Sequence, residues 1–250
     1  MTQKNRLQCL IRPYKASDRE SVISLFRFGS LEHVYPAFFK AMSHHDHVGI
    51  SLSFAVAGYV LGGSSYVLAF LFGGAWVALV YYCCHEIYDD YLRRKLDTEM
   101  ANIQANFLGS PVNSFWVAEA ELNGQVNIAG LLAIMGLKCD PVTDMSDGWN
   151  GGEVDVASLE GRAGEVFNLV VSFPLRREGL GTQLTEKAIE FCKEQGFSRL
   201  VIETTSAQMA AISMFRKLGF VETTSHGSSY ANHWISKIAR ISMIRMEMFL

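Results

Sequence analysis

Short apolar runs separated by polar turns predict strands and helices on both sides of one long apolar segment. The runs Leu7–Ile11, Ser114–Glu121 and Val126–Leu137 are dense in apolar residues and have the length of strands. Asn123–Gly124, between the last two runs, is typical of a tight two-residue hairpin turn. Asp18–Phe28 carries apolar residues at helical spacing. The first half of the chain therefore predicts a strand, a helix and a β-hairpin.

The second half of the chain continues this alternation and ends in a strand. Near the C-terminus, apolar residues alternate with Arg245 and Glu247, the period of a half-buried strand. Residues 138–164 are rich in Asp, Glu, Gly and Ser, which predicts a loop. The order of elements predicts a mixed α/β (α+β) fold. Its further predicted elements are the strand Glu165–Phe173, the helix Gly179–Gln195, the strand Arg199–Glu203 and the helix Gln208–Leu218.

One apolar segment is too long for an ordinary core helix. Val48–Cys84 runs for 37 residues without Asp, Glu, Lys, Arg or His. As a single helix it would be about 56 Å long, against about 30 Å of bilayer hydrocarbon. Gly62–Gly63 supplies a turn, so the pattern predicts a hairpin or re-entrant loop in a lipid bilayer, followed by a helix over Glu86–Phe107. The chain then divides into residues 1–42, a membrane insert at 43–85, and residues 86–250.

Composition and charge exclude several other classes of protein. The chain has 22 basic and 25 acidic residues, a net charge of −3, which argues against a general nucleic-acid binder. Five cysteines without a C-x-x-C pair support neither a zinc site nor a disulfide framework. His44, His45 and His47 precede the apolar segment; a polar collar beside the membrane explains them better than a metal site. No metal is predicted.

The segment Leu169–Thr182, LVVSFPLRREGLGT, carries the most chemistry. An apolar strand runs into Gly179 and Gly181, and a helix begins there. The free amides of a helix's first turn attract an anion, and small residues let a ligand approach the backbone. Arg176 and Arg177 would add positive charge. The pattern predicts a pyrophosphate cradle, although it lacks the lysine of a P-loop and the full glycine spacing of a dinucleotide-binding turn.

The wider sequence resembles the GNAT superfamily of acetyl-CoA-dependent N-acetyltransferases. The resemblance lies in R-x-x-G-x-G at Arg176–Gly181, in FRKLGF at Phe215–Phe220 and in the opening IRPYKASDRESV from Ile11. The apolar insert and the strand Phe115–Glu119 make the chain similar to the camello-like membrane N-acetyltransferases. The resemblance implies the GNAT fold with a hydrophobic hairpin inserted between its first two helices.

The resemblance also implies roles for individual residues. The backbone of Val171 and Phe173 would bind the pantetheine arm, and an amide near Val171 would stabilise the oxyanion. Glu203 is the expected general base, with Glu165 as the alternative, and no covalent intermediate is implied. His226 and Tyr230 lie in the last predicted loop and could enter the site from there. The remaining coenzyme-binding positions are Arg176, Arg177, Glu178, Gly179, Leu180, Gly181, Thr182 and Gln208.

Two departures from the family pattern leave two functions open. Many GNAT enzymes carry a tyrosine that protonates the departing thiolate, and the matching residue is Phe215; Gln208 stands where an asparagine is frequent. A thiolate is a tolerable leaving group because free thiols have a pKa of about 8.5. The chain is then either an active acetyltransferase or an inactive acyl-CoA-binding membrane protein with a regulatory role.

The resemblance further implies an acceptor and a location. The acetyl group of acetyl-CoA would pass to a primary amine of an amino-acid conjugate or a protein lysine, in the endoplasmic reticulum or Golgi membrane. Lys40 and Arg93–Lys95 flank the insert, and this positive bias predicts that the catalytic part faces the cytosol. The acidic loop would favour cationic amines if it borders the acceptor site.

Overall fold

A mixed sheet forms the body of the protein in the computed structural model, which describes residues 9–122, 124–137, 163–227 and 232–250. Its seven strands lie in the order β1-β2-β3-β4-β5-β7-β6. The strands are β1 Cys9–Pro13, β2 Ser114–Leu122, β3 Gln125–Leu137, β4 Ala163–Val171, β5 Arg199–Thr205, β6 Val221–Gly227 and β7 Ser242–Phe249. The helices are α1 Arg19–Leu31, α2 Val34–Met42, α3 His45–Leu61, α4 Tyr66–Asp97, α5 Ile103–Leu108, α6 Leu180–Glu194, α7 Met209–Lys217 and α8 His233–Ala239.

The sheet has a parallel pair at its centre. The strands from β1 to β4 are antiparallel neighbours, as are β5, β7 and β6, whereas β4 and β5 are parallel. Leu122 pairs with Gln125 across the tight turn between β2 and β3. The predicted mixed α/β fold class is confirmed. The two antiparallel halves meet at β4 and β5, where a crossover through α6 joins parallel strands.

Helices cover both faces of the sheet and make two apolar cores. On one face, α6 and α7 bury residues such as Leu184, Ala188 and Ile212 against the strands. On the other face, α1, α5 and the end of α4 bury residues such as Phe26 and Phe107. Because both faces of the central strands are covered, β4 and β5 read as apolar runs in the sequence.

The apolar segment folds into a close helical hairpin of α3 and α4. A Cβ at Gly58 would lie 2.6 Å from the carbonyl oxygen of Leu68, so only glycine allows this approach. Ser51 Oγ donates to the carbonyl oxygen of Gly73 at 3.2 Å across the same contact. Within the described residues, α4 is the one helix long and apolar enough to cross a membrane. The outer surface of the hairpin exposes Leu52, Val56, Val60, Leu61, Val67, Phe70 and Leu71.

Both ends of the hairpin lie against the sheet domain. At the start of α3, Asp46 forms an ion pair with Arg240, which follows α8. The second half of α4 packs against α2 and α8, and buries Cys84, Ile87 and Tyr88 with them. The hairpin therefore leaves the domain and returns to the same side of it.

Several predicted boundaries were wrong for local reasons. The predicted helix over Glu86–Phe107 is instead the end of α4, a break after Asp97, and α5, whose start is capped because Asn102 Oδ1 accepts from the amide of Ala105. The sequence interpretation missed α2 and α8. The predicted loop over 138–164 lies mostly outside the described residues, and Ala163–Gly164 belong to β4.

Gly29 does not end α1, although the sequence predicted a stop there. The helix continues to Leu31, and a Cβ at position 29 would lie 2.3 Å from Cγ1 of Val170 on β4. Glycine is used here because it lets the helix approach the strand.

Replacing Gly29 with alanine should destabilise the protein through this contact. Gly49→Ala is the matched control, since it also lies in a helix and its added Cβ would meet nothing within 4 Å. Overpacking predicts a free energy of unfolding about 1–3 kcal/mol lower in Gly29→Ala than in Gly49→Ala. Thermal unfolding in detergent measures the difference, and equal melting temperatures would contradict the close contact.

Candidate active site

The parallel strands β4 and β5 separate partway along their length. They pair from Ala163 with Arg199 to Val166 with Ile202, and no pair follows. Asn168 has a φ of 55°, and the register between β3 and β4 shifts opposite it. A bulge bends its strand and changes its twist, which explains why β4 leaves β5 here. A cavity lies in the opening.

Side chains from both strands and three helices line the cavity between β4 and β5. The end of α1 closes one side, the second half of α4 another, and α7 a third. The lining residues include Gly29, His33, Tyr88, Tyr91, Lys95, Glu165, Asn168, Val170, Glu203, Thr205, Gln208 and Phe215.

The turn into α6 leaves its amides open. Gly179 is the N-cap residue with a φ of 86°, and a Cβ there would meet nothing within 4 Å. The first helical hydrogen bond runs from the amide of Gln183 to the carbonyl oxygen of Gly179 at 3.0 Å. The amides of Leu180, Gly181 and Thr182 precede that bond, so they are free to hold an anion at the positive end of the helix dipole. The geometry fits the predicted pyrophosphate cradle.

Other loop residues predicted for the coenzyme differ in their surroundings. Arg177 has a φ of 66°, and both Arg177 and Glu178 are exposed beside the α6 turn. The side chain of Leu180, the first residue of α6, is buried, so this residue can contact a ligand only through its backbone amide. A Cβ at Gly181 would lie 3.2 Å from the sulfur of Met214, a contact that keeps this position small.

Arg176 is engaged with the protein itself. Its Nε donates to the carbonyl oxygen of Val171 at 2.9 Å, and its guanidinium forms an ion pair with Glu32 beyond the end of α1. The guanidinium also lies 5.6 Å from the ring centroid of Phe173. Arg176 therefore shapes the turn between β4 and α6 and links it to α1.

The strand predicted to reach Phe173 ends at Val171. Phe173–Leu175 form a 3₁₀ turn, because Pro174 cannot continue the ladder. The amide of Ser172 donates to Ala129 of β3 at 2.8 Å. Backbone groups alternate in direction along a strand, so the amide of Val171 faces away from β3, toward the opening.

Two carboxylates lie on the adjacent strands at the cavity. Glu165 on β4 and Glu203 on β5 both line it. Burial raises the pKa of Glu165, and the negative charge of Glu203 raises it further, while Lys95 opposes the change. Lys95 is bound to Glu99 at 2.6 Å and lies 4.2 Å from the ring centroid of Phe167. The cavity therefore has two carboxylates and one cation that is already paired.

Polar groups that sequence reasoning missed complete the cavity. The hydroxyls of Tyr88 and Thr205 are hydrogen-bonded at 2.9 Å, and the hydroxyl of Tyr91 donates to Oδ1 of Asn168 at 3.3 Å. Both tyrosines lie in α4, so they reach the cavity only because the insert packs against the sheet. The sequence motif around Gly179 does not include them and could not predict this position. His33 also lines the cavity, and burial lowers the pKa of its imidazole.

Helix α7 and its N-cap residue supply two side chains to the cavity. Gln208 and Phe215 both face the cavity. Gln208 Oε1 accepts a hydrogen bond from the hydroxyl of Thr204, and Phe215 packs against Phe220 with ring centroids 5.6 Å apart. The residue at 215 therefore reaches the cavity but supplies no proton.

The histidines before the apolar segment contact residues outside the cavity lining. His44 contacts Arg240, and His47 stacks on Trp76 with ring centroids 5.9 Å apart. Within the described ranges, no group of three His, Cys, Asp or Glu side chains is arranged to hold a metal ion. His226 lies in β6, its side chain undescribed, while Tyr230 and residues 138–162 of the acidic loop fall outside the described residues.

Comparison with known proteins identifies the family. The family model "Acetyltransferase (GNAT) family" matches residues 81–220. N-acetyltransferase 8B of Homo sapiens is 27% identical over 224 residues, 90% of this chain and 88% of that protein. N-acetyltransferase family 8 member 3 of Mus musculus is 29% identical over 237 residues, 95% of this chain and 93% of that protein.

A solved structure spans the same length. The crystal structure of an acetyltransferase of the GNAT family from Staphylococcus aureus is 15% identical, with a TM-score of 0.49, and covers 97% of this chain and 99% of its own. The similarity to the camello-like N-acetyltransferases that the sequence predicted is confirmed by the curated relatives. Because the family model covers more than half of the residues, the chain belongs to the acetyltransferase (GNAT) family.

Proposed function

We propose that this enzyme transfers the acetyl group of acetyl-CoA to a primary amine in the cavity between β4 and β5. The observation that carries the proposal is the separation of the two strands after Val166 and Ile202, directly before the open amides of α6. A thioester arm lying along β4 would reach the cavity while its diphosphate lies at the α6 turn.

The coenzyme would be held mainly by backbone groups. The amides from Arg177 to Thr182 bind the diphosphate, and the exposed guanidinium of Arg177 adds charge. The amide of Val171 donates a hydrogen bond to the pantetheine arm, and the backbone of Phe173 contacts the same arm. The carbonyl oxygen of Val171 already accepts from Arg176, so the arm is bound through donors of β4 more than through that acceptor.

Glu203 would remove a proton from the acceptor amine. The amine attacks only when it is neutral, and a carboxylate accepts its proton directly or through water. Glu165 lines the cavity together with Glu203, and its burial and the charge of Glu203 raise the pKa of Glu165. Two adjacent carboxyls whose environments differ are suited to hold a cationic amine and then take its proton.

The departing thiolate would leave without a proton from α7. Phe215 occupies the position from which a tyrosine would act. A thiolate with a conjugate-acid pKa of about 8.5 leaves without full protonation. General acids increase reaction rates by about 10²- to 10⁴-fold. Phenylalanine in place of the tyrosine therefore predicts a slower enzyme and not an inactive one.

The hairpin of α3 and α4 would anchor this enzyme in a membrane. It has 17 residues in α3, about 26 Å of helix, and a comparable apolar stretch in α4. β1 pairs with β2, so the chain before and after the hairpin belongs to one sheet and lies on one side of the bilayer. We place the enzyme in the endoplasmic reticulum or Golgi membrane, with its catalytic part in the cytosol and an amino-acid conjugate or protein lysine as acceptor.

Gly179→Glu should abolish acetyl-CoA binding, because it places bulk and negative charge in the cradle. Gly196→Glu is the matched control, since Gly196 also has a positive φ, 72°, and its Cβ would meet nothing within 4 Å. Calorimetry with acetyl-CoA measures both variants. Unchanged affinity in Gly179→Glu would contradict the cradle.

Glu203→Gln should lower kcat by about 10²- to 10⁴-fold, because the amide cannot accept the proton. Glu165→Gln is the comparison, with a smaller loss expected. Steady-state rates with an amine that is mostly protonated at the assay pH separate the two, because such an amine depends on the base. If Glu165→Gln is the more damaging change and Glu203→Gln is active, Glu203 is not the base.

Tags at the two ends of the chain should both be open to protease in sealed microsomes, and the protein should stay with membranes after alkaline extraction. Opposite protection of the two tags would mean a single crossing and would contradict the shared sheet. Protection of both tags would keep the hairpin but place the catalytic part in the lumen. Extraction at alkaline pH would contradict the membrane anchor.

A further inference from the structure

A buried amide donor without a partner lies at the point where β4 and β5 separate. Asn168 is 9% exposed, and its Nδ2 has no hydrogen-bond partner within the described residues. Leaving a buried donor without a hydrogen bond carries a free-energy cost. Because Asn168 lines the cavity, a ligand oxygen in the cavity would remove this cost.

Two local features fix the direction of this amide. Asn168 sits in the bulge with a φ of 55°, a conformation that asparagine tolerates better than most residues. The hydroxyl of Tyr91 donates to its Oδ1, so the oxygen end of the amide is held by α4. The nitrogen end then points away from Tyr91 and is left for a ligand.

The charge of the cavity selects the kind of oxygen that fits. Glu165 and Glu203 both lie there, and the cation Lys95 is already paired with Glu99. A carboxylate or phosphate would be repelled by the two carboxylates. A carbonyl oxygen is neutral when it binds and gains negative charge only during the reaction, so it fits a neutral donor that is held in place beforehand.

We propose that Nδ2 of Asn168 donates a hydrogen bond to the thioester carbonyl oxygen of acetyl-CoA and stabilises the charge that develops on it. The inference rests on the proposed function and adds a side-chain donor to the amide predicted near Val171. As the amine nitrogen bonds to the carbonyl carbon, the carbonyl π pair moves onto the oxygen. An oxygen electron pair then re-forms the carbonyl as the C–S bond breaks, the C–S electron pair leaves on sulfur, and the proton that the attacking nitrogen still carries passes to solvent through Glu203. The thiolate takes a proton from solvent.

Asn168→Gly tests this role with little backbone strain, since glycine accepts a φ of 55°. The full-length protein in detergent, given acetyl-CoA and the amine that wild type acetylates fastest in a panel of aliphatic amines, amino acids and lysine peptides, should lose about 10²- to 10³-fold in kcat. Its acceptor KM should be unchanged, and its acetyl-CoA Kd should rise by a smaller factor than kcat falls, because the hydrogen bond strengthens as charge develops on the oxygen. Tyr91→Phe, which frees the amide to rotate, should lose less.

Asn113→Gly is the matched control. Asn113 accepts from the amide of Gly136 and donates to Asn106, and it does not line the cavity. It should lower the melting temperature and leave kcat unchanged. Wild-type kcat in Asn168→Gly would overturn the proposal, as would a raised acceptor KM at constant kcat, because that result assigns Asn168 to acceptor binding.

A spectroscopic measurement needs no acceptor. Difference infrared spectra of acetyl-CoA with an isotopic label at the carbonyl carbon should show a lower stretching frequency on wild type than in water, and the shift should vanish on Asn168→Gly. An equal shift on both proteins overturns the proposal. Failure of wild type to bind labelled acetyl-CoA overturns the proposed function itself, and that result is distinct from a bound coenzyme without the shift.

Discussion

The site depends on the loss of pairing between β4 and β5 beyond Val166 and Ile202. A parallel pair in the middle of a covered sheet is normally continuous, because unpaired backbone groups in the interior are costly. Here the bulge at Asn168 ends the pairing, and α1, α4 and α7 surround the gap. The end of β4 beyond Val166 thereby has backbone groups that β5 does not pair with and that a ligand can reach. A pantetheine arm with its amides is chemically suited to replace that strand.

The apolar hairpin of α3 and α4 and the cavity share one helix. The first half of α4 carries the exposed apolar surface, and the second half presents Tyr88 and Tyr91 to the cavity. On the neighbouring helix α2, Lys40 donates to the carbonyl oxygen of Ser206 at 2.6 Å, directly before α7. The second half of the insert is thus part of the cavity wall. The shape of the cavity therefore depends on how α4 packs against the sheet domain.

The sequence predicted those parts of the fold that local chemistry determines. The turn after β2, the helix α6 behind Gly179 and the alternation in β7 each depend on neighbouring residues, and their predicted positions were close to the observed ones. The missed helices α2 and α8 are short, and both are stabilised by burial against α4, which no local pattern reports. The role of Asn168 could not be predicted for the same reason. A single asparagine in an apolar strand indicates a site only when the bulge and the hydrogen bond from Tyr91 are known.

Amide hydrogen exchange on the purified protein, with and without coenzyme A, shows whether the end of β4 and the α6 turn bind the coenzyme. Bound coenzyme A should slow exchange of the amides from Val171 to Thr182, which lie along the end of β4 and the start of α6, and should leave exchange in the outer strand β1 unchanged. Protection confined to other elements, with the α6 turn exchanging at the same rate in both states, would contradict coenzyme binding there.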